Sequence, residues 1–296
     1  MSTCKILSCY DNGNYSVKIY EDGTKVRFTM DDEFESLFPE SIDIKITNYC
    51  DNFCVMCHEE SSVFGKHGNF DYKFFDTLER GTELAIGGGN PLSHPMLISF
   101  LNKMKNRGII CNLTVNQKHF FDNKKLLKEL IDSKLIYGLG ISLLNDIYIE
   151  DIIDFVNCNN NCVIHLIAGM IDFDILKRLY DKDIKILILG YKEFGRGEKY
   201  LNDDIRKNID ILKDGIIDIS KHFYVVSFDN LAISQLDMRN KMSAEDFERY
   251  YMGDDGLFTM YIDLVKEEFA KSSISVNRYK LLDDIKDMFR IVKKEK

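Results

Sequence analysis

The sequence predicts an α/β fold centred on a parallel sheet, and three observations carry that prediction. From Ile42 onward, strand-like and helix-like patterns alternate six times. Glycines and capping residues punctuate the joints between them. The 296 residues are 45% hydrophobic, enough to bury a sizeable core around such a sheet. Strands alternating with helices imply right-handed crossovers between parallel strands. Periodicity alone leaves a doubly wound sheet and a barrel both open.

Taken in order, residues 14–20 alternate, Glu21-Asp22-Gly23 supplies a turn, and 24–28 resumes the strand pattern, so the N-terminal segment 1–40 reads as a β-hairpin. Residues 42–47 form the first strand of the alternating region. After it, Asp71 is positioned to cap a helix carrying Phe74, Phe75 and Leu78, with Phe70 and Phe75 at staple positions and Gly81 as the stop. Residues 83–86 give the second strand. A glycine turn then leads to Pro95 in a first helical turn, with Leu97, Leu101 and Met104 as the apolar face. Further strands follow at 109–115, 137–142, 162–168 and 184–189, with helices around Leu126–Ile131, 146–157 and 173–181. Beyond these, 223–228 reads as a strand, 251–262 as a hairpin turning at Gly253–Gly256, and the end as a helix with a charged tail.

Directly after the first of these strands stands Cys50-Asp51-Asn52-Phe53-Cys54-Val55-Met56-Cys57. Three thiolates on one loop suit a cubic iron–sulfur cluster, which usually takes four. A three-cysteine set leaves one iron open to a small molecule. The alternative is a zinc knuckle with His58 as fourth ligand. Zinc modules usually draw on two separated pairs, however, and no second pair lies nearby.

At these residues the chain resembles the radical S-adenosylmethionine (radical SAM) superfamily, whose signature is this cysteine spacing after the first barrel strand. Gly87-Gly88-Gly89-Asn90-Pro91, after the second strand, is similar to that family's glycine-rich motif. The resemblance implies a partial (β/α)6 TIM-type barrel over residues 41–225. Residues 1–40 form its hairpin cap, and residues 226–296 an α/β extension closing the barrel. It also implies that Cys50, Cys54 and Cys57 hold one [4Fe-4S] cluster. By the same resemblance, S-adenosyl-L-methionine (SAM) is expected to bind the open iron and to be cleaved reductively to a 5′-deoxyadenosyl radical that abstracts hydrogen from substrate.

The same resemblance assigns further contacts to SAM. Gly88 and Gly89 lie beside its methionine moiety, and Asn90 stands where the family commonly has Glu. Ser142 or Asn145 contacts the ribose, while Ile167, Leu189 and Tyr191 lie near the adenine. In Tyr191-Lys-Glu-Phe-Gly-Arg-Gly197, Arg196 is a candidate clamp for a substrate carboxylate or phosphate. His58 and Asn116, at strand ends, are further substrate candidates. No residue is named as a catalytic acid or base.

Composition narrows the class. The formal charge of −9 argues against a broad nucleic-acid surface, and no apolar run approaches a membrane span. The opening Met1-Ser2-Thr3-Cys4-Lys5 lacks a signal-peptide pattern, so a cytoplasmic protein is expected. No cysteine follows Cys162, so a single cluster is expected. A small-molecule or nucleotide-like substrate is favoured over a peptide or nucleic acid, with a flavodoxin or ferredoxin as reductant. A zinc- or cluster-binding module without catalysis is the alternative from another class.

Overall fold

The computed structural model describes residues 5–295, so Cys4 and Lys296 lie outside it. Strands β1 (Ile6–Asn12), β2 (Tyr15–Tyr20) and β3 (Lys25–Thr29) make an antiparallel three-stranded sheet in that order. The expected hairpin is β2–β3; β1 is an addition to it. This small sheet is tied to the rest by Glu40, whose fully buried carboxylate accepts from Arg27 Nε at 2.7 Å and Nη2 at 3.0 Å and from Tyr15 Oη at 2.7 Å.

The main sheet uses β4 (Ser41–Thr47), β5 (Glu83–Gly88), β6 (Ile110–Asn116), β7 (Gly138–Ser142), β8 (Cys162–Ile167), β9 (Lys185–Leu189) and β10 (Val225–Phe228), all parallel and each beside its predecessor. β11 (Thr259–Asp263) adds parallel to the free side of β4, followed by antiparallel β12 (Glu268–Ala270) and β13 (Tyr279–Lys280). From β4 to β10 the order runs one way, and β11 then joins the opposite side of β4.

Connecting helices are α1 (Leu97–Asn106), α2 (Gln117–Asp122), α3 (Lys124–Asp132), α4 (Ile149–Asn157) and α5 (Phe173–Arg178). Then come α6 (Arg196–Tyr200), α7 (Asp203–Ser220), α8 (Asn230–Gln235), α9 (Met238–Lys241), α10 (Ala244–Tyr250) and α11 (Ile285–Lys294). In α11, Ile285, Met288, Phe289 and Val292 are buried at helical spacing, and the Asp284 side chain caps its start.

The two faces of the main sheet differ in kind. One row across it, Ile262–Ile44–Ile86–Leu113–Leu139–Cys162, is buried among the helices. The neighbouring row on the other face is Tyr261–Asp43–Ala85–Asn112–Gly138. A second row on that face is Asn116–Ser142–His165–Leu187–Ser227. Right-handed crossovers wound one way from β4 to β10 put the crossover helices on one side of those strands. The polar and small residues are therefore left to line the opposite, helix-free face.

Three local expectations are corrected. The segment after Asp71 is a 3₁₀ turn, Lys73–Thr77, with no side-chain cap, because Leu78 already turns extended. The staple rings still meet, Phe70 to Phe75 at 6.3 Å between centroids. Pro95 precedes α1 rather than opening it, since Met96 is the cap residue. The C-terminal hairpin turns between Asp263 and Glu268, where Glu267 takes φ 58°, and residues 251–258 are irregular.

Candidate active site

Thr47 ends β4, and the backbone then makes a closed loop rather than a helix. Asn48 N donates to Lys66 O at 2.8 Å, Cys50 N to Ser62 O at 2.9 Å, and Ser62 N returns to Asn48 O at 3.1 Å. Within the loop, Cys57 N donates to Cys54 O at 3.2 Å. Phe53 and Glu60 adopt positive φ, the backbone strain that lets so short a segment turn around three cysteines. All three thiols are free. Burial pushes the Cys50 and Cys54 thiols up, and neighbouring cysteine charge adds to it. A metal would be needed to hold both as thiolates together.

Two glycine segments pack against this loop. Gly89 N donates to Thr47 O at 2.8 Å and Asn90 N to Tyr49 O at 2.7 Å. A Cβ on Gly89 would stand 2.1 Å from Tyr49 O, and one on Gly88, at φ 115°, would stand 2.4 Å from Thr47 O. Both glycines are thus required by contact with the cysteine loop. Gly87 is the open one: a Cβ there would meet nothing within 4 Å. The Asn90 side chain caps the following turn, its Oδ1 accepting from Leu92 N at 3.2 Å.

The second segment is Gly195-Arg196-Gly197. Arg196 Nε donates to Cys54 O at 3.1 Å, while Nη1 and Nη2 donate to Ser61 O at 3.1 and 3.0 Å. Its backbone N donates to Cys57 O at 3.2 Å. Cβ atoms on the flanking glycines would strike His58 O at 2.5 Å and Lys192 O at 2.2 Å. In this structure the guanidinium expected to clamp a substrate anion therefore grips the cysteine loop.

The remaining sequence candidates divide. Cys54 and Ile167 pack on a small cluster of buried Met56, Tyr191 and Ile205, which brings two of the residues expected near adenine to the cysteine loop. Tyr191 is buried, its hydroxyl donating to Gly197 O at 2.8 Å. Leu189 is half-buried beside Ile167 in register. Ser142 lies on the helix-free face between Asn116 and His165. Asn116 caps α2 by accepting from Lys118 N at 2.9 Å. Asn145 accepts from Ile147 N at 3.0 Å and from the Gln117 amide, so its carbonyl is engaged locally.

His58 joins a buried polar chain on the helix-free face. Its Nε2 lies 3.5 Å from Glu59 and 3.4 Å from Lys192 Nζ. Lys45, 2% exposed, bonds Glu59 at 2.5 Å and Asp263 at 3.1 Å, and Tyr261 Oη donates to Glu59 at 2.9 Å. Burial, aided by Lys192, pushes the His58 imidazole down. Burial also opposes the charges of Glu59 and Lys45. His58 and then Lys45 outweigh it at Glu59, holding the carboxyl below its usual range, while Glu59 and Asp263 hold the Lys45 amine above its own.

Sequence reasoning missed Asp43, Lys45 and His165. The signal was present: each is the polar member of an alternation inside a central parallel strand, such as Ile42-Asp43-Ile44-Lys45-Ile46. A parallel strand covered on both faces reads apolar throughout.

Among the described residues, Cys50, Asp51 and His119 offer ligand atoms within 4.8 Å of one another. Asp51 is bonded to His119 Nε2 at 2.7 Å and Lys118 Nζ at 2.9 Å, which accounts for their closeness without an ion. Cys54 and Cys57 do not join that trio. A cleft of about 1050 Å³, lined by Lys5, Glu21, Cys162, Lys182 and Tyr224 among others, opens at the opposite ends of the strands, away from the cysteines.

The chain shares its fold with SuiB of Streptococcus suis. The structure of SuiB bound to S-adenosylmethionine matches with TM-score 0.61 and 17% identity over 88% of this chain and 67% of that one. SuiB bound to the precursor peptide SuiA matches with TM-score 0.59 and 16% identity over 88% and 66%. The chain thus spans about two thirds of the SuiB length. No protein-family description and no curated protein matches the sequence.

Proposed function

We propose that this chain is a cytoplasmic radical SAM enzyme built on a partial barrel, with residues 1–40 as cap, 41–225 as core and 226–296 as closing extension. The observation that carries the reading is the convergence of both glycine segments on the Cys50–Cys57 loop, on a fold shared with a protein whose structure contains S-adenosylmethionine. The residues fit the proposed group. Three free thiols share one loop, and Gly87, between that loop and the helix-free face, fronts open space where a ligand's polar end can approach the backbone.

Cys50, Cys54 and Cys57 would hold a [4Fe-4S] cluster, which when bound supplies the reductive cleavage of SAM. The protein's own part is positioning. Arg196 fixes the loop carbonyls, so the three sulfurs keep their spacing. Gly88 and Gly89 bring β5 against the loop, setting Gly87 and Asn90 beside the cluster for the methionine end of SAM. Ile167, packed on the buried Met56 and Tyr191, offers an apolar surface to adenine, and Ser142 a hydroxyl to the ribose. The Lys45–Glu59–Tyr261 chain keeps charged groups fixed beneath, where a substrate would lie. A flavodoxin or ferredoxin would supply the electron.

For the substrate, the peptide bound by SuiB favours a peptide over the small molecule expected from composition. The small-molecule reading stays as the second, because the polar helix-free face could enclose either a side chain or a metabolite.

Dithionite-dependent release of 5′-deoxyadenosine from SAM by anaerobically prepared protein tests the reading. Cleavage is expected, and Cys54→Ala should abolish it. Cleavage that survives Cys54→Ala refutes the assignment.

A further inference from the structure

We infer that Asn52 sets the reduction potential of the cluster that Cys50, Cys54 and Cys57 would hold, through hydrogen bonds to two of the three sulfurs. The inference rests on the proposed function and deepens it, since it concerns how the electron enters rather than what the substrate is.

Asn52 stands between the first two cysteines of the loop. Its side-chain Nδ2 donates to Cys54 Sγ at 3.2 Å. Its backbone N–H is hydrogen-bonded to the Cys50 sulfur, which favours the thiolate against the burial that opposes it. One half-buried residue therefore aims two donors at two of the sulfurs.

This is not how the other strand-end asparagines are used. After β5, β6 and β7, Asn90, Asn116 and Asn145 each turn Oδ1 to the backbone N–H two residues on, at Leu92, Lys118 and Ile147. That is the ordinary turn-forming bond of asparagine. After β4, the residue two on from Asn52 is Cys54, and the amide offers its nitrogen to the sulfur instead. A thiolate accepts hydrogen bonds and donates none, so the nitrogen is the end of the amide that suits it.

Asp51 works in the opposite sense. One Asp51 oxygen, one His119 nitrogen and Cys50 Sγ lie within 4.8 Å of one another. A carboxylate so placed disfavours added negative charge on the sulfur. Lys118 Nζ at 2.9 Å and His119 Nε2 at 2.7 Å bond that carboxylate and offset part of its charge. Two adjacent residues thus act on the same ligand set with opposite sign.

The step they bear on is the transfer of one electron from a reduced flavodoxin- or ferredoxin-type carrier, with no bond made or broken and no proton moved. The added negative charge is shared by the sulfurs. Donors to sulfur stabilise the reduced form and raise the potential.

The test is dye-mediated potentiometry of the iron-loaded full chain without SAM, read by the electron paramagnetic resonance signal of the reduced cluster. At a fixed solution potential, Asn52→Leu should lower the reduced-to-oxidised ratio about threefold or more, ~28 mV for one electron. Asn52→Asp keeps the shape of the side chain and should lower the ratio about tenfold or more, ~59 mV. Asp51→Asn should raise it about threefold or more. Iron, sulfide and circular dichroism confirm that each variant is loaded and folded, and Asn52→Asp carries the comparison if Asn52→Leu sheds its iron. Loosening of the loop alone would not move variants of adjacent residues in opposite directions. Potentials that match wild type, or that all move one way, overturn the inference. Wild-type protein that takes up no iron overturns it together with the proposed function. The expected order of potentials in a protein that cleaves no SAM supports the inference and defeats only the catalytic reading.

Discussion

Both terminal nitrogens of Arg196 close on one carbonyl oxygen, that of Ser61, at 3.1 and 3.0 Å. Arg196 stands 135 residues further along the chain, and two glycines let its backbone reach the cysteine loop. The loop between β4 and the next segment is thereby pinned from the far side of the sheet.

Arg196→Lys should loosen that pin. Lysine presents one compact donor group where the guanidinium fork makes three contacts. A loss of about 1–3 kcal/mol in urea unfolding is expected for charge-assisted bonds of this kind. Iron retained after anaerobic gel filtration should fall with it. Unchanged stability and unchanged iron retention would remove Arg196 from its role.

Gly89→Ala and Gly87→Ala should behave in opposite ways. The first drives a methyl to 2.1 Å from Tyr49 O and must displace the loop, costing about 2–4 kcal/mol. The second meets open space and should leave unfolding within about 1 kcal/mol of wild type. Under the proposed function it should nevertheless weaken SAM binding, measured by equilibrium dialysis. Equal stability losses would contradict the packing argument.

Among the described residues, Lys45 is the only cation bonded to both Glu59 and Asp263. Lys45→Met strands two carboxylates in a buried site, and a loss of about 3–5 kcal/mol is expected. Adding Glu59→Gln should recover part of it, because one stranded charge is removed. A double variant no more stable than Lys45→Met would show that the two residues act independently.

Asp43 and His165 should give pH dependences of opposite sign. Burial, with Asp255 and Asp229, lifts the Asp43 carboxyl from 3.8 to about 6. Between those values the folded state holds the extra proton, so this group favours folding as pH falls and opposes it above 6. Asp43→Asn should therefore stabilise the protein at pH 7.5, with the gain gone by pH 3.5. Burial lowers the His165 imidazole from 6.5 to about 4. Here the unfolded chain takes the proton first, so stability is full above 6.5 and drains away down to 4. His165→Gln should remove a loss of about 1–3 kcal/mol over that window. Urea unfolding at pH 7.5, 5.5 and 4 checks both, and variants that track wild type at every pH would contradict the placement of these groups.

Much of the architecture was legible because hydrophobic alternation and glycine stops survive translation into parallel strands. The strands from β4 to β10 fall within two residues of their expected bounds. The cysteine loop and the glycine turn meet as the βα order requires. What failed was mostly local. The Asp71 segment was too short to sustain an α-helix, and the helices from α7 to α10 lie in a stretch without glycine or proline punctuation strong enough to bound them. Arg196 shows a deeper limit: a guanidinium between glycines suits an anion or a backbone carbonyl equally well, and only tertiary contact decides. Asp43 and His165 were readable in principle, because a polar residue recurring in central parallel strands betrays a face without helices.

The central claim is tested most directly by metal and sulfide analysis of the protein prepared without air. About four irons with matching sulfide per chain are expected, falling together when Cys50, Cys54 or Cys57 is replaced by Ala. Folded protein that stays free of iron after reconstitution, or that binds a single zinc through Cys50 and His119, would contradict it.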